Sequence, residues 1–266
     1  MKIYDAIKQR KSVRTYPGSE LSDSSITELK ELLNENRKFQ QGVATGAHLI
    51  KNGQGFQDSL SGVIADYGKV RAPHYILLTA EEREGSFVEV GYRYEFVVLS
   101  LTAREIGTCW IGKGFKSKEL KGYVDLPANQ TPRALIACGP VEASKMELIE
   151  EPNRKDLDYF LVEGNTAELD DKSLDVVDNL RRAPSSINSQ PWRVLIDGRF
   201  FHLYISSRNF LARKFVKSLS EMNRIDAGIG LAHLRVAGGH HWDEVEIIKA
   251  GHPEERGLEY IGSLKR

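Results

Sequence analysis

Apolar residues fall at helical spacing from the first positions of the chain. Ile3, Ala6 and Ile7 predict a short helix from about residue 2 to Arg10. Pro17-Gly18 marks a turn, and Ser22 to Ser25 supply N-cap candidates for a second helix through Leu29, Leu32 and Leu33. From Phe39 to Gly62 the chain is rich in Gly and Gln and poorly periodic, which predicts a loop with short helical pieces. Tyr75 to Thr79 is a compact apolar run, the pattern of a buried strand. Val88 to Ile106 is helical and largely apolar, as expected of a helix at the centre of a domain. A short helix follows over Lys116 to Tyr123, then a strand over Arg133 to Cys138 and a charged, extended surface stretch over Glu150 to Asp158.

A second series then begins. Leu174, Val177, Leu180 and Ala183 mark a helix that runs into a turn at Pro184. Trp192 to Ile196 and Phe200 to Ile205 read as strands joined by the hairpin signal Asp197-Gly198. Ile225 to Val236 is another apolar helix, and Glu244 to Ile248 a final strand. Helix, strand, central apolar helix and strand occur in that order twice. The pattern predicts an α+β protein of two related α/β units, residues 1–160 and 161–266, with the boundary near residues 160 to 168.

Composition narrows the function classes. With 37 basic and 37 acidic residues the formal charge is zero, which argues against bulk electrostatic capture of nucleic acid or an anionic membrane. Met1 to Ile7 meets charge at once and has no apolar signal core, and no apolar run approaches a membrane span. Cys109 and Cys138 are the two cysteines, each in an apolar run, and read as buried hydrophobes of a reducing compartment. A cytoplasmic protein is expected.

Two segments carry candidate chemistry. In Arg10-Lys11-Ser12-Val13-Arg14, continuation of the first helix puts Arg10 and Arg14 one turn apart on one face. Two guanidiniums and the Ser12 hydroxyl there suit a phosphate, although a solvated basic helix end explains the same residues. From Pro184 to Trp192, Ser185, Ser186, Asn188 and Gln190 form a tight polar loop whose hydroxyls and carboxamides both donate and accept, as a flat ring with carbonyl and imide edges requires. An ordinary turn with an N-cap serine is the alternative. His240-His241 with Asp243 and Glu244 lacks tetrahedral metal spacing and reads as a surface turn, so no metal site is expected. His202 and His233 read as core or interface histidines, and Tyr92 and Tyr94 as packing residues.

Ala183-Pro184-Ser185-x-x-Asn188-Ser189-Gln190-Pro191-Trp192 resembles the flavin-ring motif of the nitroreductase family, whose members bind FMN. Arg10-x-Ser12-x-Arg14 is similar to that family's phosphate motif, and Ile106 to Gly112 to the segment whose backbone approaches the reactive edge of the flavin. Ala134 to Pro140 fits the strand that follows, and Arg154-Lys155 sits where a late arginine reaches the phosphate. The likeness covers most of residues 1–157 and, more weakly, 165–250. It implies a nitroreductase-like fold and non-covalent FMN, with NADH or NADPH donating hydride and a small nitro, quinone or similar acceptor reduced by ping-pong kinetics. Arg10, Lys11, Ser12, Arg14 and Arg154 would face the phosphate. Pro184, Ser185, Ser186, Asn188 and Gln190 would face the ring, and Ile111, Gly112 and Lys113 would lie by the flavin N5. No dedicated catalytic acid or base is implied.

One departure from the family is informative. Typical members carry both motifs about thirty residues apart in one subunit and dimerise around two flavins. Here each motif occurs once, in opposite halves, with Phe39 to Gly46 standing where the first ring motif belongs. The chain therefore resembles a fused pseudo-dimer, expected to be a monomer with one FMN between its halves. Relatives that reductively dehalogenate or fragment flavin use a lid, for which residues 39 to 67 are the candidate. A flavin-binding sensor or carrier without turnover is the third reading.

Overall fold

Ser22 opens the second helix as its sequence predicts. Its hydroxyl accepts the Ser25 N–H at 3.2 Å, and Ile26, Leu29 and Leu33 bury one face of α2 (Asp23–Asn34). The computed structural model describes residues 1–59, 70–112, 120, 122–142, 153–206, 216–249 and 251–266. The chain divides into two compact units, Met1–Ser86 with Phe96–Ile149, and Phe87–Glu95 with Glu150–Arg266.

In the first unit, α1 (Ile3–Gln9) and α2 precede a four-stranded antiparallel sheet. Its strands are β1 (Thr45–Ile50), β2 (His74–Glu81), β3 (Ile106–Ile111) and β4 (Gln130–Pro140), in the order β1-β2-β4-β3. A short helix, α3 (Gly53–Ser59), follows β1. His74 to Ala80 of β2 are all buried, which is why the sequence shows an unbroken run and no alternation. Tyr75 and Leu77 of that strand pack with Phe56, Cys109, Leu135 and Ala137. The Tyr75 hydroxyl escapes the penalty of burial by donating to the Val70 carbonyl at 2.7 Å.

The second unit repeats this topology. β5 (Trp192–Asp197), β6 (Phe200–Ser206), β7 (Glu246–Ile248) and β8 (Leu258–Lys265) form an antiparallel sheet in the order β5-β6-β8-β7. Even the irregularities correspond, since the register slips between Leu78 and Thr79 of β2 and between Leu203 and Tyr204 of β6. Its helices are α5 (Asp171–Arg181), capped by the Asp170 carboxylate on the Ser173 N–H at 2.8 Å, and α6 (Val216–His241). The N-terminal part of α4 (Ser86–Thr102) belongs to this unit and lies against α6 at two glycines. A Cβ at Gly91 would strike the Ile225 carbonyl, and one at Gly228 the Val88 carbonyl. Fully buried His233 lies between Glu95 Oε1 at 3.0 Å and the Asn179 carbonyl at 2.9 Å.

Several expectations need correction. The stretch from Phe39 to Gly62 holds strand β1 and α3; β1 is an edge strand carrying Gly46 and His48, with little hydrophobic signal of its own. As a strand of the sheet, β1 is not available as a lid, and residues 60–67 lie outside the described residues. α4 stops at Thr102, and Glu105 at φ 60° turns the chain into β3, which takes Ile106. β7 is not the final strand, because β8 follows it and carries Gly262 inside its pattern. His240 and His241 end α6 instead of forming a turn, and His241 Nε2 meets Asp175 Oδ2 at 2.7 Å. Most of the helix expected over Lys116 to Tyr123 falls on residues outside the described set. Both cysteines are buried and free. No described helix is long and apolar enough to cross a membrane.

Candidate functional site

The phosphate-motif residues lie in the first unit, and their geometry differs from the helical expectation. The Arg10 N–H makes the last helical bond, to the Ala6 carbonyl at 2.8 Å, and Arg10 itself is extended at φ −60°, ψ 123°. The chain then runs beside β3 as a parallel bridge of Ser12 to Thr108, with the Val13 N–H donating to the Thr108 carbonyl at 2.8 Å. Arg10 and Arg14 therefore do not share a helix face. Arg10 and Val13 are buried, Lys11 and Ser12 are half-buried, and Arg14 is exposed.

Gly107 makes this approach possible. A Cβ there would lie 2.9 Å from Val13 Cγ2 and closer still to Val141 Cγ1, so a side chain would force the segment off the strand. All three polar residues of the motif act on one neighbour. Burial pushes the Cys109 thiol pKa up, while Arg14, a hydrogen bond with Ser12, and Arg10 oppose the rise. The charge of Arg10 and Arg14 and the Ser12 hydroxyl are thus gathered around the start of β3. Ile111 is buried at the end of the same strand, with Gly112 next; Lys113 lies outside the described residues.

The ring-motif residues lie in the second unit. After α5 the chain passes buried Ala183 and Pro184 and enters a single 3-10 turn over Ser186–Asn188. Ile187, Asn188 and Gln190 adopt φ values of 48°, 57° and 48°, in the left-handed region that L-residues avoid. Ile187 is β-branched and 84% exposed, so packing does not compensate for its conformation.

Polar bonds hold the loop instead. The Gln190 N–H donates to Ser185 Oγ at 3.0 Å, and Gln190 Nε2 to the Asn188 carbonyl at 2.9 Å. Gln190 Oε1 accepts from the Lys155 N–H at 2.9 Å, and Asn188 Nδ2 donates to the Asn153 carbonyl at 3.2 Å. Arg154, between these last two anchors, is thereby set beside the loop. The Gln190 carboxamide is almost fully buried and spent within the loop, so it supports the surface without forming it. Among the described residues Ile187 N–H has no acceptor.

Asp226 of α6 is a support that its sequence position does not advertise. The Ser186 N–H points at both of its carboxylate oxygens, at 3.0 and 3.2 Å. Burial pushes its pKa up to about 8, against the opposing pull of the Ser186 N–H and the Ser189 hydroxyl. A lone acid inside an apolar helical pattern was the available signal. Beside the loop a cavity of about 210 Å³ is bounded by Tyr159, Ser186, Ser189, Ser206, Leu219 and Asn223, among others.

The family described as Putative TM nitroreductase matches residues 2–238. A crystal structure of a putative nitroreductase from Thermotoga maritima is 20% identical and aligns with a TM-score of 0.64 over 99% of this chain and 92% of that one, which establishes a shared fold. Two further structures align less closely. A putative nitroreductase in complex with FMN from Desulfovibrio desulfuricans is 21% identical, over 62% of this chain and 97% of that one, with a TM-score of 0.48. A nitroreductase with bound FMN from Bacteroides fragilis is 16% identical, over 58% and 95%, with a TM-score of 0.47. No curated protein matches the sequence. The match over residues 2–238 spans both units and both motif segments, and the chain belongs to the Putative TM nitroreductase family.

Proposed function

We propose that this protein is an FMN-dependent oxidoreductase that takes hydride from NADH or NADPH and reduces a small nitro, quinone or similar organic acceptor. The observation that carries the reading is the loop from Ser185 to Gln190. Three strained non-glycine residues are fixed there by a closed set of polar bonds, and an isoleucine stands exposed at the tip. Such strain persists where surrounding bonds over-determine it and a ligand uses the result.

The donor sets suit FMN at both ends. Arg14 and Arg10 would offset phosphate charge with guanidinium N–H donors, Ser12 would add a hydroxyl, and Lys11 would extend the positive field. Ser186 and Asn188 would present the ring-facing surface, with the Ile187 N–H open as a donor, while buried Pro184, together with Ser185 and Gln190, holds its shape. The backbone at Ile111 and Gly112 would serve the reactive edge. When bound, FMN supplies a two-electron carrier that accepts hydride and later returns the electrons, so the chain need provide no acid or base of its own. Its residues bind, orient and set the electrostatics.

Each motif occurs once, so one FMN per chain is expected, in a protein that needs no second copy. An absorption spectrum of purified protein with a flavin-to-protein ratio tests this, followed by anaerobic NADH and NADPH titration. Two flavins per chain would overturn the single site, and none would overturn the reading. Arg14→Glu should strip the cofactor, and unchanged FMN affinity would remove Arg14 from the phosphate contacts. Bound FMN without NADH or NADPH oxidation in the presence of quinone or nitroaromatic acceptors would mark a flavin carrier.

A further inference from the structure

The cavity beside the ring loop has a one-sided chemistry. Among the described residues its polar lining consists of the hydroxyls of Tyr159, Ser186, Ser189 and Ser206 and the Asn223 carboxamide, with no carboxylate. Tyr159 forms one wall, and two cations crowd its ring. Lys155 Nζ lies 3.8 Å and Arg193 Cζ 3.5 Å from the ring centroid. Lys155 Nζ also donates to Tyr159 Oη at 2.5 Å and to the Ser189 carbonyl at 3.1 Å. Arg193 Nη1 donates to the Trp192 carbonyl at 2.7 Å.

Two like charges on one phenol ring repel each other, and the ring quadrupole offsets only part of that repulsion. Among the described residues the arginine–carboxylate pairs of this unit are made by Arg181, Arg182, Arg224 and Arg266, not by Lys155 or Arg193. Donor capacity is also left over: Lys155 spends two of its three N–H donors on these contacts, and Arg193, with five, bonds the Trp192 carbonyl and the Tyr159 hydroxyl. The phenol registers the local field. Burial favours its neutral form, yet the hydrogen bonds and charges of Lys155 and Arg193 outweigh burial and lower its pKa.

We propose that Lys155, Arg193 and Tyr159 form a binding site for an oxyanion, a carboxylate or phosphate group of a small-molecule reactant, beside the cavity that Tyr159 walls. The adjoining cavity, about 210 Å³, has room for a phosphate or for a carboxylate on a single ring. Ser186 and Ser189 line the cavity and belong to the ring loop, so the site selects reactants that bring an anion to that loop. Its role in turnover rests on the flavin reading; the anion site itself does not.

The test is thermal unfolding of the wild-type protein, with and without FMN, in rising inorganic phosphate or rising benzoate, ionic strength being held constant with chloride. A ligand of the folded state raises the midpoint saturably. The expected result is a saturable rise, with benzoate in either form or with phosphate in the FMN-loaded protein whose Arg10–Arg14 contacts are taken, abolished in Arg193→Gln, whose flavin content stays at the wild-type ratio. Lys155→Gln serves as the second variant. A rise with phosphate alone identifies a phosphate-bearing reactant, and one with benzoate alone a carboxylate. The proposal is overturned if neither probe acts, if Arg193→Gln and Lys155→Gln respond as wild type does, or if Arg193→Gln folds but loses FMN. Because the flavin-free protein is measured as well, failure to bind FMN and failure to bind an anion are read separately.

Discussion

Asp226→Asn isolates the one titratable anchor of the ring loop. Asp226 is buried, and its pKa rises from 3.8 to about 8 because the charged form is desolvated. The folded state therefore keeps a proton that the unfolded chain gives up above its ordinary value. Between those two values the unfolded state binds fewer protons, so stability falls as pH rises, and the fall ends above the folded value. Each pH unit in that window costs about 1.4 kcal/mol, or about 6 kcal/mol across it. Asparagine keeps an oxygen for the Ser186 N–H and never ionises. Its second amide hydrogen adds a pH-independent cost of about 1–3 kcal/mol if it finds no acceptor. The stability of Asp226→Asn relative to wild type should therefore grow by about 4 kcal/mol between pH 5 and pH 8. Denaturant unfolding followed by tryptophan fluorescence at those two pH values measures it, and the constant offset cancels in the comparison. A difference that stays flat within about 1 kcal/mol would show that Asp226 ionises normally and that burial does not govern it.

Two further substitutions probe the backbone of the motifs. Ile187→Gly should leave stability unchanged or raise it by up to about 1 kcal/mol, because it relieves a left-handed β-branched residue and forfeits no buried surface. A loss larger than about 1 kcal/mol in denaturant unfolding would mean that the loop is not strained at this residue. Gly107→Ala should destabilise the protein by about 1–3 kcal/mol and weaken FMN binding, since the added methyl meets Val13 and Val141 and displaces the Ser12–Arg14 segment. Adding Val141→Ala and Val13→Ala together, which removes both clashing methyls, should restore much of both, and failure of that rescue would argue against the steric route.

Local signals were readable in the sequence wherever the determining contact is local. The Ser22 cap, the Ile26–Leu33 face and the Asp197-Gly198 hairpin each depend on residues within a few positions, and each forms as expected. The phosphate motif was legible in composition but not in shape. Helix α1 ends because the Val13 N–H is taken by the carbonyl of Thr108, a partner that no local window contains. Strand β1 was lost for a related reason, since its half-exposed residues are ordered by pairing with β2 and not by their own apolar pattern. Asp226 was invisible because an acid in an apolar helix has no meaning until the Ser186 N–H is placed against it.

The repeated topology sharpens what the unrepeated chemistry implies. Ser22 and Asp170 cap corresponding helices of the two units, which provides a common origin for comparing them. Arg10, Ser12 and Arg14 lie twelve, ten and eight residues before Ser22; the same steps back from Asp170 reach Asp158, Phe160 and Val162. No cation or hydroxyl remains there, and Asp158 is committed to the Thr166 N–H at 2.7 Å. In the forward direction, Ser185, Ser186, Asn188 and Gln190 correspond to Arg37, Lys38, Gln40 and Gly42. Arg37 is engaged there with Glu35 and with the ring of Phe96. Sheet order is set by burial and tolerates sequence drift, whereas a phosphate or ring contact fails with the loss of one or two donors. That difference explains how two units can keep one topology while each motif survives in only one of them, and it is the physical reason to expect one flavin, not two.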